Sequence, residues 1–115
     1  MNWQLYHNPR CSKSRAALAM LTERNINFEI VSYLENTLTS DEVKRILSLL
    51  GFTSARQLMR TGEAIYKELS LADIDDEQAL ISAIIANPKL IERPILVGDN
   101  KASIGRPLEN IIAIL

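Results

Sequence analysis

Tyr6-His7-Asn8-Pro9-Arg10-Cys11-Ser12-Lys13-Ser14-Arg15 decides the reading of this chain. A short apolar run precedes it and an amphipathic run follows, so it reads as the loop between a strand and a helix, with Asn8-Pro9 stopping the strand. Cys11 stands where the loop becomes helix. The backbone N–H groups of Ser12 to Ser14 have no intrahelical partners and point back at the loop, which makes an anion site. A thiol there feels the positive end of the helix dipole, and His7, Arg10, Lys13 and Arg15 further favour its thiolate. A lone cysteine is ordinarily a small core hydrophobe, but a core cysteine does not usually occupy a basic loop between a proline and a helix start. Cys11 is therefore read as a nucleophile.

Working outward, Trp3 to Tyr6 is the strand before the loop. From Ser12 onward Ala17, Leu18 and Leu21 recur at helical spacing, and Asn25 ends the run. Phe28, Ile30 and Val31, followed by Tyr33 and Leu34, form a β-prone segment, so strand, helix and strand imply a parallel right-handed crossover. Asn36 to Ala86 then contains no convincing strand. Thr39-Ser40-Asp41-Glu42 is a capping box, Val43, Ile46, Leu47 and Leu50 mark one helix face, and Gly51 closes the helix. Shorter helices are expected at about Ser54 to Met59 and at Ala64 to Leu69. Asp75-Asp76-Glu77 opens another, with a stripe of Leu80, Ile81, Ile84 and Ile85, which Asn87-Pro88 ends. Pro94 to Val97 and Lys101 to Ile104 read as a hairpin around Gly98-Asp99-Asn100. Pro107 starts a last helix through Leu115. The order β-α-β, helical block, β-β-α predicts an α/β thioredoxin-like fold with a small mixed four-stranded sheet. It would be one domain, 1–115, with a helical insertion at about 37–87.

The bulk composition limits the functional classes. With 115 residues, 47% hydrophobic, 23% charged and a net charge of −1, the chain suits a folded globular protein with no bulk attraction to nucleic acid or membrane. A lone cysteine cannot form an intrachain disulfide, and Met1-Asn2-Trp3-Gln4 lacks a signal-peptide design, so a cytoplasmic home is expected. No apolar stretch approaches the ~20 residues of a bilayer span. One histidine and one cysteine are too few for the usual zinc constellations, so no metal site is expected.

Ser14 stands where a Cys-x-x-Cys pair would have its second thiol, so redox turnover would need an external thiol. A phosphatase loop Cys-x5-Arg is improbable because Ala17 occupies the arginine position. His7, the only histidine, is more often structural at such a place, but an imidazolium four residues before Cys11 would stabilise a thiolate or an oxyanion. Ser14, one turn beyond Cys11, could donate to its sulfur. Arg60, Arg93 and Arg106 each stand at a break in the chain and alone read as surface charges. A cis Arg93-Pro94 bond opening the third strand would bring Arg93 to the Cys11 loop. Three converging guanidiniums would suit a tetrahedral oxyanion through forked donors.

His7-Asn8-Pro9-x-Cys11 with Ser14-Arg15, Tyr33-Leu34-Glu35-Asn36, Leu58-x-Arg60, Arg93-Pro94-Ile95 and Arg106-Pro107 are weak motifs singly and specific in this order. Over essentially the whole chain they resemble the bacterial arsenate reductase family that draws electrons from glutathione and glutaredoxin. The resemblance implies Cys11 as nucleophile, Arg60, Arg93 and Arg106 as oxyanion ligands, and His7 and Ser14 as residues lowering the thiol pKa. It implies reduction of arsenate to arsenite through a Cys11-S-arsenate intermediate, in arsenic detoxification. No cofactor would be bound, with glutathione as reducing co-substrate, glutaredoxin as partner, and the protein a monomer. The loop Arg10-Cys11-Ser12-Lys13 is more basic than in the best-known members, which leaves another oxyanion or a glutathione mixed disulfide as alternative substrates. An Spx-type regulator that binds RNA polymerase shares the fold, but Ser14 removes its Cys-x-x-Cys switch. A non-catalytic anion binder would keep oxyanion affinity without thiol turnover.

Overall fold

Four strands form one mixed sheet in the order β2-β1-β3-β4, in a computed structural model that describes all 115 residues. β1 (Trp3–Tyr6) runs parallel to β2 (Phe28–Val31) and antiparallel to β3 (Ile95–Val97), which pairs antiparallel with β4 (Ala102–Ile104). α1 (Ser12–Glu23) carries the chain from β1 to β2, giving the expected β-α-β unit. These strands belong to one compact unit, Met1–Asn36 with Arg93–Leu115; Thr37–Glu92 forms a second, helical unit.

The core of the first unit follows from periodicity. Leu5 and Leu96 are register partners across β1 and β3 and therefore share a face. Ala17 and Leu21, one helical turn apart on α1, and Ile111 complete a fully buried apolar cluster with them. After α1 the chain turns through Asn25, whose φ of 56° is left-handed, while Ile26 N–H returns to Leu21 O at 3.1 Å.

β2 ends at Val31, earlier than its β-prone sequence suggests. Its parallel partner stops at Tyr6, and the last cross-strand bond runs from His7 N–H to Val31 O at 3.1 Å. Tyr33 and Leu34 therefore lie in a turn closed by Asn36 N–H on Ser32 O. The β3–β4 hairpin is closed at one end by Gly98 N–H on Lys101 O and at the other by Gly105 N–H on Pro94 O, each at 2.8 Å. Arg93-Pro94 and Arg106-Pro107 are both cis.

The final helix is shorter than the expected run from Pro107 to Leu115. α5 spans Glu109–Ile112, flanked by three-residue turns such as Asn110 N–H on Pro107 O and Leu115 N–H on Ile112 O.

In the second unit, α2 (Ser40–Leu50) has the predicted Thr39/Glu42 capping box and ends on Gly51 at φ 74°. Val43, Ile46 and Leu47 are its buried stripe, and α2 packs on α4 (Glu77–Ala86), which buries Leu80, Ile81 and Ile84. Ile85 is only partly covered. Between them lie α3 (Ala64–Glu68) and two 3-10 turns, Ala55–Leu58 and Leu71–Asp73. The Arg56 guanidinium joins these pieces by donating to Tyr66 Oη at 2.7 Å, Leu71 O at 2.8 Å and Ile74 O. The Glu77 carboxylate accepts from Ser54 Oγ at 2.7 Å and Ala55 N–H at 2.8 Å, so an α4 side chain caps the preceding 3-10 turn.

α4 ends at Ala86, before Asn87-Pro88 as expected, and a separate 3-10 turn, Pro88–Leu90, follows. Beyond it an antiparallel bridge pairs Met59 with Ile91, flanked by Arg60 N–H on Leu90 O and Glu92 N–H on Leu58 O. No helix is long and apolar enough to cross a membrane.

Candidate active site

The β1–α1 loop is held by hydrogen bonds that leave the Cys11 thiol at its turn into the helix. Cys11 is the N-cap residue of α1, with extended φ and ψ of −97° and 122°, and its carbonyl accepts from Arg15 N–H at 3.0 Å. Asn8 organises the preceding residues at three points. Its N–H donates to Ser14 Oγ, its Oδ1 accepts from Arg10 N–H and its backbone carbonyl accepts from Cys11 N–H, all at 3.0 Å. The side-chain-to-backbone turn from Asn8 to Arg10 is the Asx geometry that makes this residue type useful in loops. Asn8-Pro9 reads in the sequence only as a strand breaker; the offset of two residues from Asn8 to Arg10 is the signal that could have marked its clamping role.

Cys11 is buried, with 8% of the residue exposed. Burial pushes its pKa up, but the Ser14 amide, the Arg93 side chain and the Lys13 amide outweigh that effect, and the thiol is lowered from 9.0 to about 7. No amide caps the sulfur with the close, aligned bond a cap oxygen would accept. Sγ is larger and softer, and the first-turn amides act on it as oriented dipoles. Arg93 adds a hydrogen bond and its charge. Arg106 approaches from the hairpin base, with Nη2 3.6 Å from Sγ and Nε donating to Arg93 O at 2.7 Å. A thiolate in this setting is both populated near neutrality and flanked by fork-shaped donors able to receive an oxyanion.

His7 and Ser14 belong to the site but differ from the expected arrangement. Ser14 is fully buried, and its hydroxyl faces His7 Nδ1 at 2.6 Å and Asn8 N–H, so the amide of Ser14, not its hydroxyl, serves the sulfur. Burial, and then the charge of Arg15, lower the His7 pKa. The ring is therefore neutral near pH 7, and the Ser14 hydroxyl proton is assigned to Nδ1, with the ring proton on Nε2. The expected imidazolium beside the thiolate is corrected: His7 supports the loop through Ser14. Arg15 lies over the loop, Nη1 donating to Pro9 O at 2.8 Å.

Arg60 lies in the helical unit beside the Met59–Ile91 bridge. Its Nε is 3.4 Å from Glu63 Oε1, and its Nη1 is buried with no hydrogen-bond partner. Thus Cys11, His7, Ser14, Arg93 and Arg106 form one cluster in the first unit, and Arg60 belongs to the second. No group of three or more His, Cys, Asp or Glu side chains could hold a metal ion.

An α/β thioredoxin-like sheet with a lone activated cysteine at its first loop defines a class of single-thiol proteins on this fold. Within that class, the chain belongs to the ArsC family, whose model matches residues 6–114. It is 50% identical over 113 residues to the protein named arsenate reductase of Neisseria meningitidis serogroup A, covering 97% of each chain. It is equally similar to the uncharacterized protein YfgD of Escherichia coli K12, covering 97% of this chain and 95% of that one. The solved structure of arsenate reductase from Vibrio cholerae superposes with a TM-score of 0.95 at 44% identity, covering 100% of this chain and 98% of the other.

Proposed function

We propose that this protein is an arsenate reductase that takes its electrons from glutathione, with glutaredoxin recycling the thiol, and that it acts as a monomer. The observation that carries the reading is the Cys11 thiol, lowered to about 7 beside Arg93 and Arg106. The relatives named arsenate reductase supply the oxyanion. Arg93 and Arg106 neutralise the arsenate charge that otherwise repels an approaching thiolate. The Cys11 thiolate attacks arsenic, and one arsenate oxygen leaves as water after taking up protons. The glutathione thiolate then attacks the Cys11 sulfur, and arsenic departs with the sulfur–arsenic electron pair, reduced by two electrons to arsenite. The Cys11–glutathione disulfide that remains is reduced by glutaredoxin.

The test is arsenate-dependent NADPH oxidation with glutathione, glutaredoxin and glutathione reductase present. Cysteine-dependent turnover that vanishes in Cys11→Ser is the expected result. Equal rates with wild type and Cys11→Ser, or none with either, would overturn the reading.

A further inference from the structure

The cations near Cys11 fall into two tiers. Arg93 and Arg106 reach the sulfur itself. Arg10 and Lys13 are exposed, flank Cys11 in the chain, and make no side-chain hydrogen bond or ion pair; the Lys13 backbone amide already serves Sγ. Arg15, also exposed, is tied to Pro9 O. The local charge is pronounced, because residues 1–22 contain three Lys or Arg and not one Asp or Glu, in a chain whose net charge is −1. Nothing in the loop's own hydrogen bonding needs the Arg10 and Lys13 side chains: Arg10 contributes its N–H to Asn8, and Asn8, Ser14 and Arg15 make the remaining loop contacts.

We propose that Arg10 and Lys13 form a docking collar for the carboxylates of glutathione, holding the reductant at the rim of the Cys11 site. The inference rests on the proposed function for the identity of the reductant. Once an oxyanion occupies the inner arginines, their charge is spent, and a second anionic reactant must approach an anionic adduct. Glutathione carries two carboxylates on a flexible backbone around its thiol. Two exposed cations outside the inner tier, Arg10 in the loop of the nucleophile and Lys13 in the first turn of α1, match that pattern and offset the repulsion. As exposed contacts, each is worth little alone and the pair is sensitive to salt.

The experiment needs no arsenate. Cys11, the only thiol, attacks one sulfur of the aryl disulfide dithiobis(nitrobenzoate), displacing one thionitrobenzoate and keeping the other as a mixed disulfide; after the displaced thiol is removed, release of the second, coloured thiol is timed with glutathione and with glutathione diethyl ester. In this step the incoming thiolate bonds to the Cys11 sulfur and thionitrobenzoate leaves with the electron pair of the old bond. A small peptide disulfide gives the intrinsic ratio of the two reductants. Wild type is expected to favour glutathione by roughly two- to tenfold over that intrinsic ratio, with the preference fading at high salt. Arg10→Gln/Lys13→Gln, which removes no contact of the folded loop, is expected to return to the intrinsic ratio while its reaction with the diester is retained. Absence of preference in wild type, or its survival in the double variant, would overturn the collar. So would a double variant slowed only toward glutaredoxin, which would assign these cations to a protein partner. If the preference is found but arsenate turnover is not, the collar stands and the substrate assignment falls.

Discussion

The side chain of Arg106 holds the backbone of Arg93, with Nε donating to Arg93 O at 2.7 Å while Nη2 lies 3.6 Å from Cys11 Sγ. The two arginines that flank the thiol are thus fixed to one another before any anion arrives. Gly105 N–H on Pro94 O at the base of the hairpin fixes the same pair through the backbone. Preorganised donors cost no rearrangement when charge moves, which is the condition under which they help a reaction most.

Arg106→Lys therefore tests geometry at constant charge. A single ammonium cannot occupy the carbonyl of Arg93 and reach Sγ together. The thiol pKa is expected to rise from about 7. Alkylation near neutral pH is expected to slow by roughly threefold or more, the scale of a weakened charge-assisted hydrogen bond. Thiolate absorbance against pH checks it, and a titration unchanged from wild type would show that Arg106 does not act on the sulfur.

The pH dependence of Cys11 follows from its lowered thiol. Iodoacetamide alkylation is expected to rise with a midpoint at about 7, whereas a free cysteine titrates near about 8.5. Because the folded pKa lies below the unfolded one, the thiolate's contribution to stability is fully present above the unfolded value. It is lost as pH falls through about 7. Cys11→Ser should abolish that dependence in denaturant unfolding measured across this window. A wild-type midpoint at the free value would contradict the arrangement of Arg93 and the first-turn amides.

Asn8 is expected to govern Cys11 without touching the sulfur. Asn8→Ala removes the acceptor for Arg10 N–H but keeps the backbone bonds to Ser14 and Cys11. Loss of that bond loosens the loop by about 1 kcal/mol and should raise the thiol pKa and slow alkylation. Asn8→Asp keeps the acceptor while adding a negative charge, so it should restore loop order, read by amide hydrogen exchange at Arg10, without restoring the low thiol pKa. If Asn8→Ala left both exchange and thiol titration unchanged, the clamp would be a spectator.

Much of this was legible from local chemistry. The Thr39/Glu42 box, Gly51 and Asp76, whose carboxylate caps α4 by accepting from Ala79 N–H at 3.3 Å, each mark a helix end by bonds made within a few residues, and the Cys11 loop announces itself by its charges and its place before a helix. What the sequence hides is long-range pairing. The Met59–Ile91 bridge joins residues with no alternating pattern around them, and the tie from Arg56 to Tyr66, Leu71 and Ile74 depends on how three short elements pack. The Ser14 amide and hydroxyl take different partners for the same reason. Spacing puts Ser14 near Cys11, but the hydroxyl's direction is decided by His7 and Asn8 across the loop.

Glu77 gives the helical unit an acid-sensitive joint. The bond from Ala55 N–H, and then that from Ser54 Oγ, hold its carboxyl below the ordinary value. Its stabilisation is present above the unfolded pKa of about 4.3 and is lost as pH falls through the lower folded value. Glu77→Gln should lower stability modestly at neutral pH and flatten the acid limb of a plot of unfolding free energy against pH. A variant whose acid limb parallels that of wild type would show that the cap is not coupled to folding.

Gly105 is the position where the site and the core meet most closely. A Cβ built there would lie 2.7 Å from Ile111 Cδ1 and 2.8 Å from Pro94 Cγ. Ile111 is fully buried in the core cluster and the proline ring cannot rotate away, so Gly105→Ala must shift the hairpin base or α5. Overpacking of this kind costs about 1–3 kcal/mol. The same movement disturbs Pro94 O, Arg93 and Arg106, so the thiol pKa should rise along with the loss of thermal stability. Gly62→Ala, where the added Cβ meets nothing within 4 Å, is the matched control and should change neither. If Gly105→Ala lowered the melting temperature but left the Cys11 titration in place, the hairpin base would be a packing element alone. If both moved together, the spacing of Arg93 and Arg106 from the sulfur would be set by the fit of Ile111 beneath Gly105.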